Sequence, residues 1–159
     1  MGEKNTTVRG HFSESRITII DGNAVLPRHL NKHISSYGKP LGTAEENALS
    51  VAMPLQMQVS DDGKKLYVAA FSSAKVAVYD TAELEANNFK PVREKQIRLN
   101  GGGPAGLALD EARQRLYVYT RFNNGVAVID TEKRREIALP SLLSHSFILQ
   151  IPSGTWITP

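Results

Sequence analysis

With 159 residues, 41% of them hydrophobic and 22% charged, the chain has the size and composition of one globular domain, which excludes disorder as its default state. Nineteen Lys and Arg against sixteen Asp and Glu leave +3, and the signs are interspersed, so the pI near 9.2 is not a nucleic-acid-binding stripe. Zero cysteine removes disulfides, thiolate metal sites, cysteine nucleophiles and haem attachment through Cys-x-x-Cys-His within these residues, and no window reaches the ~18 apolar residues of a membrane span.

Taken in chain order, Met1 to Asn5 lack the charged-then-apolar design of a signal peptide. Met1, Gly2 and Thr6 fit the minimal myristoylation pattern, which an ordinary initiator also satisfies. Thr7 to Phe12 and then Arg16 to Asp21 read as two strands, the second β-branched and ending in Asp. Between Gly22 and Met53 the text turns polar. Asn31 to Asn47 reads as a long connecting loop, with one or two helical turns expected at Thr43 to Leu49.

From Pro54 onward the chain repeats itself. Pro54 to Leu84 aligns without a gap on Pro104 to Arg134, an offset of 50. Pro54, Leu66, Tyr67, Val68, Val76, Ala77, Val78, Asp80 and Thr81 meet Pro104, Leu116, Tyr117, Val118, Val126, Ala127, Val128, Asp130 and Thr131. The first unit predicts strands at Leu55 to Val59, Lys65 to Ala70, Lys75 to Tyr79 and Glu94 to Leu99. The second predicts them at Ala105 to Leu109, Arg115 to Thr120, Gly125 to Ile129 and Glu136 to Leu139. Arg16 to Asp21 is the third strand of a degraded earlier copy, displaced from Val76 to Asp80 by 59 residues at the shared Asp, 21 against 80.

The turns have mechanisms. Ser60-Asp61-Asp62-Gly63 supplies oxygens for the turn backbone and a Gly for positive φ, whereas Asp110-Glu111-Ala112-Arg113 lacks that Gly and predicts a different turn. Asn123-Asn124-Gly125 is the strongest hairpin signal. Asp80-Thr81 and Asp130-Thr131 close the third strands, their short oxygen side chains meeting backbone N–H groups.

Leu-Tyr-Val, then Val-Ala-Val-x-Asp-Thr, then Gly-x-Pro opening the next unit, resembles the YVTN β-propeller repeat over roughly Thr7 to Ile137. The expected fold is all-β: a partial β-propeller of about two complete four-stranded blades plus part of a third. Residues 1–140 would be the partial propeller, with an incomplete blade at 7–53 and blades at 54–100 and 101–140. Residues 141–159, with Ser144-His145-Ser146, Pro152 and Trp156, match no blade strand order and read as an atypical tail, as a truncated or frame-shifted text would give.

Within that class, Leu116 to Asn124 resembles propellers that precede a c-type, di-haem peroxidase-like cytochrome domain in bacterial periplasmic proteins. The resemblance implies a periplasmic parent with haem outside this chain, a cytochrome domain as partner, and a non-catalytic scaffold role for the propeller. Other blades, or copies of the chain itself, are the expected partners, because both walls of each unit are apolar. The alternative from another class is part of a metal-dependent, lactonase-like or lyase-like propeller enzyme, in which this chain would supply at most some ligands.

No residue set reads as catalytic, cofactor-binding or metal-binding. His29 and His33 have i, i+4 spacing, but no Glu sits in the metalloprotease position and no helix is signalled, so solvated loop histidines are the reading. His11 and His145 are isolated. Gly101 to Gly106 lacks the Lys-Ser/Thr pair and following helix of a phosphate loop and instead leads into an innermost strand. Asp61, Asp62, Asp80 and Asp130 sit at turns without EF-hand spacing, so hydrogen bonding is expected of them. Tyr67, Tyr117, Tyr119 and Phe122 read as blade packing, and Lys133-Arg134-Arg135, flanked by Glu132 and Glu136, as a solvated edge. Ser144-His145 has no carboxylate partner and no Gly-x-Ser-x-Gly elbow exists.

Overall fold

The computed structural model describes residues 14–34 and 43–140. The strand expected at Thr7 to Phe12 and the tail from Ser141 lie outside the described residues. The chain forms β1 (Arg16–Asp21), β2 (Ala24–His29), α1 (Ala44–Leu49), β3 (Pro54–Val59), β4 (Lys65–Ala70), β5 (Lys75–Asp80), α2 (Thr81–Glu85), β6 (Gln96–Arg98), β7 (Pro104–Asp110), β8 (Arg115–Thr120), β9 (Gly125–Asp130) and β10 (Arg135–Ala138).

Among the described residues these strands make three antiparallel sheets: a β1-β2 hairpin, a four-stranded sheet β3-β4-β5-β6 and a second four-stranded sheet β7-β8-β9-β10. Each four-stranded sheet is an up-and-down meander, and adjacent sheets stack face to face rather than pairing edge to edge. That is the architecture of a partial β-propeller. Below, blade 1 is the hairpin, blade 2 is β3–β6 and blade 3 is β7–β10.

The two faces of blade 2 follow from period-two alternation. Cross-strand partners Leu66 with Tyr79 and Val68 with Ala77 share one face, and Tyr67 with Val78 and Ala69 with Val76 share the other. The first set joins Ile17, Leu30, Val51, Leu84 and Phe89 in the core between blades 1 and 2. The second joins Leu107, Leu116, Val118, Ala127 and Ile129 in the core between blades 2 and 3. Ile97 and Leu99 complete that second core from the outer rim.

The fifty-residue offset reaches into the backbone where side chains differ. Met53 and Gly103 both take positive φ, at 51° and 68°, and so do Ala74 and Asn124, at 49° and 45°. The Phe71 amide donates to the Met53 carbonyl at 3.0 Å, and the Arg121 amide donates to the Gly103 carbonyl at the same distance. The Thr81 amide reaches the Lys64 carbonyl at 3.0 Å, and the Thr131 amide reaches that of Gln114 at 3.1 Å.

The turns are built as their side chains suggest. Ser60 Oγ donates to Asp62 Oδ1 at 2.7 Å and accepts from the Lys65 amide at 2.9 Å, while Gly63 sits at φ 72°. In the partner turn the positive φ moves to Gln114, at 54°, and Asp110 Oδ1 accepts from the Arg113 amide at 3.0 Å. At Asn123-Asn124-Gly125 the left-handed residue is Asn124, and Gly125 already opens β9.

Three features depart from the sequence expectation. The Gly22–Met53 connection contains a strand, β2, paired along the whole of β1 from Arg16–His29 to Asp21–Ala24. The Asp80-Thr81 turn opens a short helix, α2, capped by Asp80 Oδ1 accepting from the Glu83 amide. The fourth strand of blade 2 is only Gln96–Arg98, preceded by a 3-10 turn at Arg93–Lys95 where a strand was expected from Glu94. The helical turn expected at Thr43 to Leu49 is α1, with Thr43 and Glu46 forming a capping box.

Candidate interaction surface

Blade 3 presents one face to blade 2 and turns the other outward. On the inward face Leu116, Val118, Ala127 and Ile129 are fully buried. The outward face carries Tyr117 and Tyr119 from β8, paired across to Val128 and Val126 of β9. Their counterparts fifty residues earlier, Tyr67, Ala69, Val78 and Val76, are at most 6% exposed because blade 3 covers them. Tyr119 by contrast is 39% exposed, and Tyr117, Val126 and Val128 are half-buried. The outward wall is therefore the same apolar surface in the same register, uncovered among the described residues.

At the opposite end, Leu55, Met57 and Val59 on β3 are about half exposed, at 50%, 48% and 47%. Their repeat counterparts in β7 include Leu107 and Leu109, which pack into the core between blades 2 and 3. β3 thus displays the strip of blade 2's inner face that blade 1 leaves uncovered, the strip whose counterpart in blade 3 packs on blade 2.

Polar contacts fix the inter-blade geometry. Gln56 on β3 lays its amide along the edge of β7, accepting from the Leu107 amide at 2.7 Å and donating to the Leu107 carbonyl at 3.5 Å. Asn100 donates to both oxygens of Glu136, and Arg134 Nη1 donates to the Glu94 carbonyl at 3.0 Å. Between blades 1 and 2, Arg28 donates to the carbonyls of Leu84 and Glu85 at 2.9 and 2.6 Å, holding the C-terminal end of α2. Asn31 makes paired bonds with the Val51 backbone at 3.0 and 2.8 Å.

The candidate chemical residues are dispersed. His29 closes β2, its Nδ1 accepting from the Asn31 amide at 3.0 Å and its Nε2 lying 3.7 Å from Glu14. His33 lies in the following turn, where Nε2 donates to the Glu46 carbonyl at 2.9 Å. The two histidines share no helix face, and no group of three or more His, Asp and Glu is placed to hold a metal among the described residues. His11, Ser144 and His145, like Met1, Gly2 and Thr6, lie outside them.

Asp62, Asp80 and Asp130 each hold turn backbone. The Ser60 hydroxyl and the Lys64 amide keep the Asp62 carboxyl below its ordinary pKa. Asp130 is likewise lowered, first by the Lys133 amide and then by the charges of Lys133 and Arg115. The Asp61 amide donates to Glu111 Oε1 across the blades at 2.8 Å. Tyr67 lies in the core between blades 2 and 3, where burial raises its phenol pKa. Phe122 is 72% exposed and stands edge-on to Phe71, with centroids 5.2 Å apart, while Tyr119 donates to Asn124 Oδ1 at 3.0 Å.

Gly101 to Gly106 leads into a strand, not a helix. A Cβ on Gly103 would come within 3.0 Å of Phe71 and 3.2 Å of Phe122, in addition to the positive φ there. In the basic run, Lys133 Nζ sits 3.9 Å from Asp130 and Arg134 bonds Glu94 as above, so these side chains tie turn to neighbour.

Neither a protein-family model nor a curated protein sequence matches the chain. Among solved structures, hydrazine synthase from Kuenenia stuttgartiensis is similar over 57% of this chain and 23% of its own, at 21% identity and a TM-score of 0.48. The periplasmic gluconolactonase PpgL from Pseudomonas aeruginosa is similar over 64% of this chain and 31% of its own, again at 21% identity and a TM-score of 0.48. The chain spans less than a third of either protein.

Proposed function

We propose that the chain is a non-catalytic scaffold segment of the YVTN-repeat kind, whose blade 3 outer face receives the inner face of a further blade. The observation that carries this reading is the equivalence of Tyr117, Tyr119, Val126 and Val128 with Tyr67, Ala69, Val76 and Val78, the latter set buried under a neighbour. Apolar surface of this extent in register with a made interface gains free energy by being covered, at roughly 25 cal/mol per Å².

In solution the covering blade comes from a second copy of the chain. Sedimentation velocity of the full chain across a hundredfold concentration range, roughly 1 to 100 μM, gives concentration-dependent association. Replacing Val126 and Val128 by Lys weakens that association at least about tenfold, since two charges are then buried unpaired. A wild-type chain that stays monomeric over the range contradicts the reading.

The resemblance of Leu116 to Asn124 supports a parent in which the propeller presents loops at its channel mouth to a c-type cytochrome domain. Reading the encoding DNA beyond codon 140 in all frames tests that part. A Cys-x-x-Cys-His motif in a resumed frame supports it, and an open frame without one removes it.

A further inference from the structure

A cleft of about 280 Å³ opens between α1, the turn before β5 and the outer strand β6, lined by Asn47, Ser72, Ser73, Lys75, Arg98 and neighbouring backbone. It belongs to neither inter-blade interface. Its charge is one-sided: two cations line it, and no carboxylate is among its lining residues.

The two cations are placed in a way blade packing does not require. Lys75 and Arg98 are directly opposite partners in the antiparallel β5–β6 pair, so two positive side chains share one face of the sheet. Like charges directly across a ladder destabilise it. The position fifty residues later is Gly125, so blade geometry is satisfied without a cation there. Lys75 is nevertheless 4% exposed, and Nζ donates only to neutral acceptors, the Ala48 carbonyl at 2.8 Å and Gln96 Oε1 at 2.9 Å. Gln96 is itself oriented by donating to the Leu49 carbonyl at 2.6 Å. An ammonium has three hydrogens, so one remains beyond these two bonds. Burial, together with the Arg98 charge, lowers the Lys75 pKa to about 8, the response of a cation lacking a counter-charge.

Ser72 and Ser73 border the same cleft, and Ser73 Oγ accepts from the Ala52 amide at 2.9 Å, which leaves its hydroxyl hydrogen to donate. A strong point donor, a planar guanidinium and hydroxyl donors without a competing anion form a donor set for a tetrahedral or planar oxyanion. We propose that this cleft binds a small dianionic oxyanion of the phosphate class, held between Lys75 and Arg98 with Ser72 and Ser73 at its edge. Two positive charges select a dianion over a monocarboxylate of similar size. A water's share of liquid volume is about 30 Å³, so the space takes a phosphoryl group with part of its ester.

The test uses the full chain and inorganic phosphate at constant ionic strength, with acetate and chloride as comparison anions. Each lysine's rate of reductive methylation by formaldehyde and borane is read by peptide mass spectrometry near pH 8. Phosphate should protect Lys75 saturably while Lys64 and Lys133 are unchanged, and acetate should need a higher concentration. Arg98→Gln, at an exposed position that leaves the core intact, should raise the phosphate concentration for half-protection about tenfold. Arg135→Gln should not move it. Equal protection of all lysines, equal protection by chloride, or an Arg98→Gln chain indistinguishable from wild type would overturn the proposal.

Discussion

At the scale of single residues, the repeat writes the same backbone with different side chains, and the cost differs accordingly. Met53 and Gly103 hold equivalent left-handed positions, yet only one is glycine. A side chain there costs about 1 kcal/mol, so Met53→Gly, at an exposed site, should raise stability by up to ~1 kcal/mol. Gly103→Ala should lower it by about 1–3 kcal/mol, because the added Cβ also meets Phe71 and Phe122. Urea unfolding of both variants measures the pair, and equal shifts of the same sign would contradict the assignment.

Asp130 gives a pH signature at the same scale. Its carboxyl is held below the ordinary range by the Lys133 amide first, with Lys133 and Arg115 adding charge. Because the folded pKa lies below the unfolded one, near 3.9, the stabilisation is complete above that value and is lost as pH falls through the folded pKa. Asp130→Asn should therefore flatten the loss of stability below about pH 4, read as the urea midpoint against pH. An unchanged acid limb would place the stabilisation elsewhere.

At the scale of elements, the blades are joined by side chains that imitate strand pairing. Gln56 completes both backbone groups of Leu107, so Gln56→Ala leaves that amide without its partner and should cost about 1–2 kcal/mol. Hydrogen exchange at the Leu107 amide should accelerate in the same variant, while the Val118 amide, deep in β8, should not respond.

The elements legible in the sequence were those fixed by alternation and turn chemistry: β4 and β8 begin and end where Lys65 to Ala70 and Arg115 to Thr120 predict. β2 was not legible because Pro27 and Arg28 interrupt its apolar pattern; an edge strand of a two-stranded hairpin tolerates Pro27, and Arg28 is spent on α2. Helix α2 was hidden because Asp80-Thr81 and Asp130-Thr131 read alike, and Asp130 also accepts from the amide three residues on. The difference lies further along: Leu84 is buried between blades 1 and 2 and pulls its turn into a helix, whereas Arg134, its counterpart, is exposed at φ 50°. The Lys75 cleft left no motif, since its two cations are 23 positions apart, 75 against 98, and meet only through the β5–β6 register.

At the scale of the whole molecule, the described unit packs blade 2 between blades 1 and 3 and leaves uncovered the outer face of blade 3 and the β3 part of blade 2's inner face. Its buried core is periodic, so Leu116→Ala, inside the made interface, should cost about 2–5 kcal/mol and cooperatively loosen blades 2 and 3. The outward face of blade 3 should behave differently, contributing nothing to the folding of a dilute chain and becoming buried only on association.

The absence of cysteine allows that distinction to be measured residue by residue. Val78→Cys and Val128→Cys place single thiols at equivalent positions, one under a neighbouring blade and one on the open face. Thiol labelling rates are followed from dilute to concentrated protein. Val78→Cys should label slowly at every concentration, while Val128→Cys should label fast when dilute and slow as the chain associates. A Val128→Cys rate independent of concentration, or equal to that of Val78→Cys throughout, would contradict the claim that blade 3 presents an unfilled copy of the inter-blade interface.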